Sequence, residues 1–282
     1  MRVPASVSQR ATSYRIRLAP WGPANVIRCG RAYLLDRRGR SAYTQLDEAE
    51  LRAGRRSDTV FVFGSGKSLL DLDDADWARI AAHDTVGFSQ FQEQDFVRVD
   101  YHLISEAHDI DRYARLFGEN KRYASTVYAV QEGWLAQVGN EIVGRRLLPH
   151  GAPVFRFTRT ARGVYAPPSE SFSEGLVHGS NSSISTTNFA LLAGWTRIVL
   201  TGIDLYDREY FYLPPGGSFP GEKPGYDAHS RFPGADATIE HFRRWRPLLE
   251  ARGVELLVYN PRSLLAGTLD VFSWDRIGTA VS

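Results

Sequence analysis

The stretch Asn181–Tyr206, NSSISTTNFALLAGWTRIVLTGIDLY, most restricts what this chain can fold into. Asn181-Ser182-Ser183 supplies an N-cap and neighbouring hydroxyls. Ile184, Phe189, Ala190, Leu191 and Ala193 then predict a helix with one strongly apolar face, which Gly194 ends. Ile198-Val199-Leu200 is a short, continuously apolar run, the pattern of a strand buried on both faces. Gly202-Ile203-Asp204 closes it. A helix N-terminus favours a bound anion, and a strand that ends in Gly-x-Asp favours a ligand crevice. Both signals lie on one helix–strand unit, so the stretch reads as half of a binding site.

Other segments repeat the same alternation. Thr59–Phe63 is a strong buried-strand signal running into Gly64-Ser65-Gly66-Lys67-Ser68 and an acidic turn at Asp71, Asp73 and Asp74. Gly-Lys-Ser suggests a P-loop, but that motif needs a glycine where Phe61 stands. What remains is a strand, a glycine-rich turn and a helix, whose amides can approach a phosphate or sugar. Further strands are expected at Thr85–Phe88, Tyr101–Ile104, Ser125–Val130, Pro153–Phe157 and Glu255–Tyr259. Helices are expected at Asp111–Phe117, Trp134–Val143, Thr238–Arg252 and after Asn260. Ser89-Gln90 and Ser105-Glu106 place polar side chains just past strands, where an open sheet binds its ligand. The alternation predicts an α/β fold with a mostly parallel sheet. Residues 206–235 have no periodicity but many aromatics, and read as a lid that orders over a ligand.

Residues 1–56 differ from the rest. Twelve arginines, from Arg2 to Arg56, face only Asp36, Asp47, Glu48 and Glu50. The segment reads as a solvated extension with a small hairpin around Gly30, or as a basic surface for anionic lipid or an acidic partner. Over the whole chain the net charge is only +2, which argues against a dedicated nucleic-acid binder. The lone Cys29 excludes an intrachain disulfide framework and a cysteine-rich zinc site. No apolar run is long enough for a transmembrane helix and no signal-peptide core is present. A cytoplasmic location is therefore expected, at the inner face of a membrane if the basic segment docks there.

From about Val60 to Gly267 the chain resembles the single-domain bacterial sialyltransferases of glycosyltransferase family 42. The resemblance rests on Gly64–Leu69, Asn181-Ser182-Ser183, Ala193-Gly194-Trp195, Ile198–Tyr206, His229-Ser230 and Asn260–Ala266, in that order and spacing. It implies a Rossmann-like, GT-A-like single domain made of residues 57–205 and 236–282, with 206–235 as its lid. It also implies inverting transfer of sialic acid, or a related acid sugar, from a CMP-sugar donor to a glycan acceptor. Lipooligosaccharide or capsule synthesis would be the setting, with no cofactor or metal required and a homo-oligomeric assembly.

By the same resemblance His229 is the general base. Tyr206 and either Tyr210 or Tyr212 serve the departing phosphate. Donor-binding positions are Gly64, Ser65, Gly66, Ser68, Ser89, Gln90, Ser105, Asn181, Ser182, Ser183, Gly202 and Asp204. Ser65, Ser89 and Ser105 stand where the family carries asparagine, and Lys67 where it carries proline. These shorter side chains leave the sugar open, CMP-Kdo included. Three further readings compete: a pterin diphosphokinase-like enzyme using ATP and a metal, another nucleotide-binding protein on the same scaffold, and a non-catalytic binding protein with a decayed site.

Overall fold

The computed structural model describes residues 23–106, 110–160, 162–163, 165–217 and 227–277. The apolar runs become strands because each is covered on both sides. In β2 (Thr59–Phe63) all five residues are buried, with Val60 and Val62 in one core layer and Phe61 and Phe63 in the other. The remaining strands are β1 (Thr44–Leu46), β3 (Asp84–Phe88), β4 (Tyr101–Ile104), β5 (Val127–Gln131), β6 (Pro153–Phe157), β7 (Arg197–Thr201), β8 (Glu255–Val258) and β9 (Asp270–Val271). They form one nine-stranded sheet in the order β1-β6-β5-β4-β3-β2-β7-β8-β9. Every pairing is parallel.

Helices α1 (Pro23–Gly39), α2 (Glu48–Ala53), α3 (Asp74–Ala81), α4 (Ile110–Glu119), α5 (Gln137–Gly144), α6 (Ser182–Ala193) and α7 (Ala235–Glu250) flank it. This is the expected α/β, Rossmann-like arrangement. No helix among the described residues is long and apolar enough to cross a membrane. From β2 the chain steps one way to β6, then returns at β7 to the other side of β2. The carboxyl ends of β2 and β7 therefore sit side by side while their chains leave in opposite directions, the switch point where such sheets bind ligands.

The basic segment departs from expectation. Residues 23–39 are the helix α1, not a hairpin around Gly30, and residues 44–46 extend the sheet beside β6. Residues 1–22 lie outside the described residues. The buried positions of α1 are Cys29, Ala32, Asp36 and Gly39, a helical stripe of small residues. Small side chains let α1 close on α5: a Cβ on Gly39 would come within 2.0 Å of the Val143 carbonyl oxygen, and one on Gly144 within 2.7 Å of Leu35. The fully buried Asp36 carboxylate takes Arg156 at 2.6 Å and Arg40 at 2.6 Å, with Glu132 completing the cluster. Ion pairs thus fasten α1 to the edge of the sheet.

Three other differences are local. After the glycine-rich turn comes a 3-10 turn (Lys67–Asp71), and α3 begins only after its N-cap Asp73, so that helix does not point its amides at the turn. Trp134 precedes α5 and packs against Tyr33 and Gly30 of α1. The segment after Asn260 makes only a 3-10 turn (Leu264–Gly267) before β9. The expected lid is partly outside the described residues, at 218–226.

His102, in β4, shows how dry the sheet interior is. Its Nε2 lies 2.8 Å from the Tyr113 hydroxyl and its Nδ1 3.2 Å from that of Tyr123. Burial drives its pKa down to about 3, against the upward pull of the Ser89 backbone. Unfolded, the ring would titrate near its ordinary 6.5. Its neutral burial therefore stabilises fully above that value, and the contribution is lost as pH falls from there towards 3. Over that window His102→Gln should reduce the slope of unfolding free energy against pH by up to about 1.4 kcal/mol per unit. Denaturant unfolding at stepped pH measures it, and an unchanged slope would contradict the assignment.

Candidate functional site

Beyond the ends of β2 and β7 the two turns are stitched together. Gly64 donates its N–H to the Thr201 carbonyl at 2.9 Å, and Gly66 donates to that of Gly202 at 2.8 Å. Only glycine permits this approach: a Cβ on Gly64 would lie 2.4 Å from the Gly202 oxygen, and one on Gly66 2.3 Å from Asp204 Oδ2. The chain then bends through Gly202 (φ 66°) and Leu205 (φ 65°). Asp204, 4% exposed, holds the bend. Its Oδ1 accepts from Ser68 Oγ at 2.6 Å and Asn260 Nδ2 at 2.9 Å, and its Oδ2 accepts from the Ser68 N–H at 3.1 Å. Ser263 Oγ donates to the Ile203 carbonyl at 2.7 Å, fastening the Asn260 segment alongside.

Above this knot lies a cleft of about 610 Å³. Its wall brings together Gly64, Ser65, Gly66, Ser89, Gln90, Asn181, Ser182, Ser183, Gly202, Asp204, Tyr210 and Tyr212, all read from the sequence as site residues. Four others do not line it: Ser68 is buried beneath, and Ser105, Tyr206 and His229 lie outside the wall.

Their roles differ from the expected ones. The amides of Gly64, Gly66, Lys67 and Ser68 all donate within the protein, so they are not offered to a phosphate. The Ser65 side chain lines the cleft, its hydroxyl buried and without a partner among the described residues. Asp204 faces the cleft with a carboxylate already engaged. Asn181 is the N-cap of α6: its Oδ1 accepts from the Ser183 N–H at 3.0 Å, and its Nδ2 donates to Thr238 Oγ1 at 2.6 Å. That leaves Ser182, in the first turn of α6, facing the cleft with its hydroxyl uncommitted among the described residues. The helix is buried almost all round, Ser185, Thr186, Thr187 and Asn188 included, rather than amphipathic. Thr186 and Thr187 hide their hydroxyls on the carbonyls of Ser182 and Ser183.

Tyr210 and Tyr212 are both in the wall, their rings stacked 5.8 Å apart. Tyr206 turns towards Asn260, and burial, with the Asp204 charge adding to it, pushes its phenol pKa up. His229 is 74% exposed, with Nδ1 3.8 Å from Glu209 Oε1. Ser89 holds a left-handed conformation (φ 53°) where β3 ends at the cleft.

Of the expected pair Ser105-Glu106 it is Glu106 that stands in the wall, and sequence reasoning missed three further wall residues, His178, Asp207 and Glu209. His178 Nδ1 lies 3.1 Å from Ser185 Oγ, and its Nε2 lies 3.5 Å from Glu106 Oε1. Burial, then Arg159, lowers its pKa, so the ring is neutral near pH 7. Arg159 pairs with Glu106 at 3.0 Å, and Lys67 with Glu209 at 2.7 Å. The Lys67 contact holds the Glu209 carboxyl below its ordinary range, whereas burial raises that of Asp207. Among the described wall residues there are four carboxylates and no lysine or arginine. Among the described residues no group of three His, Cys, Asp or Glu side chains is placed to hold a metal ion.

Compared with known proteins, the chain matches no family model, no curated protein and no solved structure.

Two substitutions separate the knot from the wall. Asp204→Ala strands the Ser68 and Asn260 donors and should cost about 3 kcal/mol or more of unfolding free energy. Ser65→Ala removes an unpartnered hydroxyl and should leave stability equal or slightly higher. Guanidinium unfolding measures both, and equal midpoints for the two variants would contradict this division.

Proposed function

We propose that the chain is an inverting glycosyltransferase that moves an acid sugar, such as sialic acid, from a CMP-sugar to a glycan hydroxyl. The observation that carries this reading is the switch-point cleft, whose wall contains Ser65, Ser182 and the N-terminus of α6. That arrangement suits an anion held by hydroxyls and the positive end of a helix without a cationic side chain. The order of motifs shared with family 42 points the same way. The setting proposed with it is a cytoplasmic homo-oligomer working in lipooligosaccharide or capsule synthesis.

In the proposed reaction the acceptor oxygen forms a bond to the anomeric carbon as the bond to the CMP phosphate oxygen breaks. The electron pair leaves with the phosphate, and the acceptor proton passes to a base. Positive charge grows on the sugar between these events, and the carboxylates of Glu106, Asp207 and Glu209 are suited to stabilise it. Tyr210 and Tyr212 offer phenols to the leaving phosphate. His229 is the proposed base, and Glu209, anchored by Lys67, stands beside its imidazole.

A second reading has its own support. A wall with four carboxylates and no cationic side chain suits a nucleotide that arrives with a metal, as the pterin diphosphokinase-like reading requires.

CMP release from CMP-sialic acid with a galactoside acceptor separates the two. Transfer that persists in excess chelator is expected, with His229→Ala lowering kcat by about 10²-fold. Activity confined to ATP, a hydroxymethylpterin and a divalent ion would replace the first reading with the second. Full activity in His229→Ala would remove that residue's role. Melting temperatures unmoved by any nucleotide would favour a protein without catalysis.

A further inference from the structure

The outer face of α1 has no role in the fold. Ile27 is 71% exposed and Leu34 61%, the highest values among the exposed large hydrophobics. Seven residues apart, they lie on one side of the helix, separated by roughly 10 Å along its axis. Arg28, Arg31, Arg37 and Arg38 are exposed around them. None of the four makes an ion pair among the described residues. The single acid of the helix, Asp36, is buried and already matched by Arg40 and Arg156. The exposed face therefore carries only positive charge, interrupted by two aliphatic side chains.

We propose that α1 docks this protein flat on an anionic lipid bilayer. Ile27 and Leu34 enter between the headgroups, and the four arginines meet lipid phosphates and carboxylates. The inference stands apart from the transferase reading. Charge complementarity favours an anionic surface, and the aliphatic pair favours lipid over nucleic acid, which would be met by stacking aromatics. The aromatic of this helix, Tyr33, is turned against Trp134 instead. Two isolated aliphatic side chains on a convex, basic helix suit a headgroup layer. The location also fits the cleft, because α1 packs on α5 and Val138 of α5 stands in the cleft wall.

Cosedimentation of the full chain with vesicles tests this. Phosphatidylcholine vesicles containing about one-third phosphatidylserine should pull the protein down at low salt, and phosphatidylcholine alone should not. Arg31→Gln with Arg38→Gln should weaken partition roughly fivefold per arginine. Ile27→Ser with Leu34→Ser should weaken it by about tenfold or more, with an unchanged melting temperature in both variants. Failure of the parent to sediment would overturn the proposal, as would either variant binding like the parent. Binding to heparin or polyglutamate without binding to vesicles would overturn it in favour of another acidic partner.

Discussion

The Asp204 carboxylate is the contact on which the rest of the site depends. It sits where β7 ends, almost without solvent, and gathers donors from the β2 turn and from the Asn260 segment. A buried carboxylate is tolerated only with such partners. Once they are in place, three distant stretches of chain have one relative position. Gly64 and Gly66 are needed because the knot brings backbone to backbone with no room for a Cβ. What lies above it, the Ser65 hydroxyl and the first turn of α6, is thereby set on a rigid floor. Rigid placement is what a binding site requires of its polar groups.

The distribution of charge around the cleft follows a second constraint. Arginine and lysine stand behind the wall and acids within it: Arg159 supports Glu106, and Lys67 supports Glu209. An anion entering there meets hydroxyls, phenols and a helix terminus, while its own charge is opposed by nearby carboxylates. Carboxylates so placed suit a ligand whose reacting end becomes positive, as the proposed glycosyl transfer would require.

Much of this was legible in the sequence where local chemistry is strong. The strands at 59–63 and 197–201 announce themselves through the continuously apolar runs Val60–Phe63 and Ile198–Leu200, which a strand covered on both faces requires. Most of the cleft wall was legible too, since residues just past parallel strands face a common rim. The two-residue β9 and three-residue β1 are too short for any period to show. Helix α1 was missed because its buried stripe is Cys29, Ala32, Asp36 and Gly39, while its large aliphatics face outward. Hydrophobic patterning cannot detect a helix held by glycine contacts and buried ion pairs. Nor does any local signal join His178 to Glu106, or Lys67 to Glu209; only the return of the chain across the sheet does so. The turn amides of Gly64, Gly66, Lys67 and Ser68 misled for the same reason: their partners lie at the end of β7 and in the segment after it.

The central claim is that a cytidylate lies across the carboxyl edge of the sheet, between the Ser65 turn and the start of α6. A crystal soaked with CMP tests it most directly. Density for the phosphate within hydrogen-bonding distance of the Ser65 or Ser182 hydroxyl is expected, with Asp204 unmoved beneath it. An empty cleft, or CMP bound elsewhere on the protein, would contradict the claim.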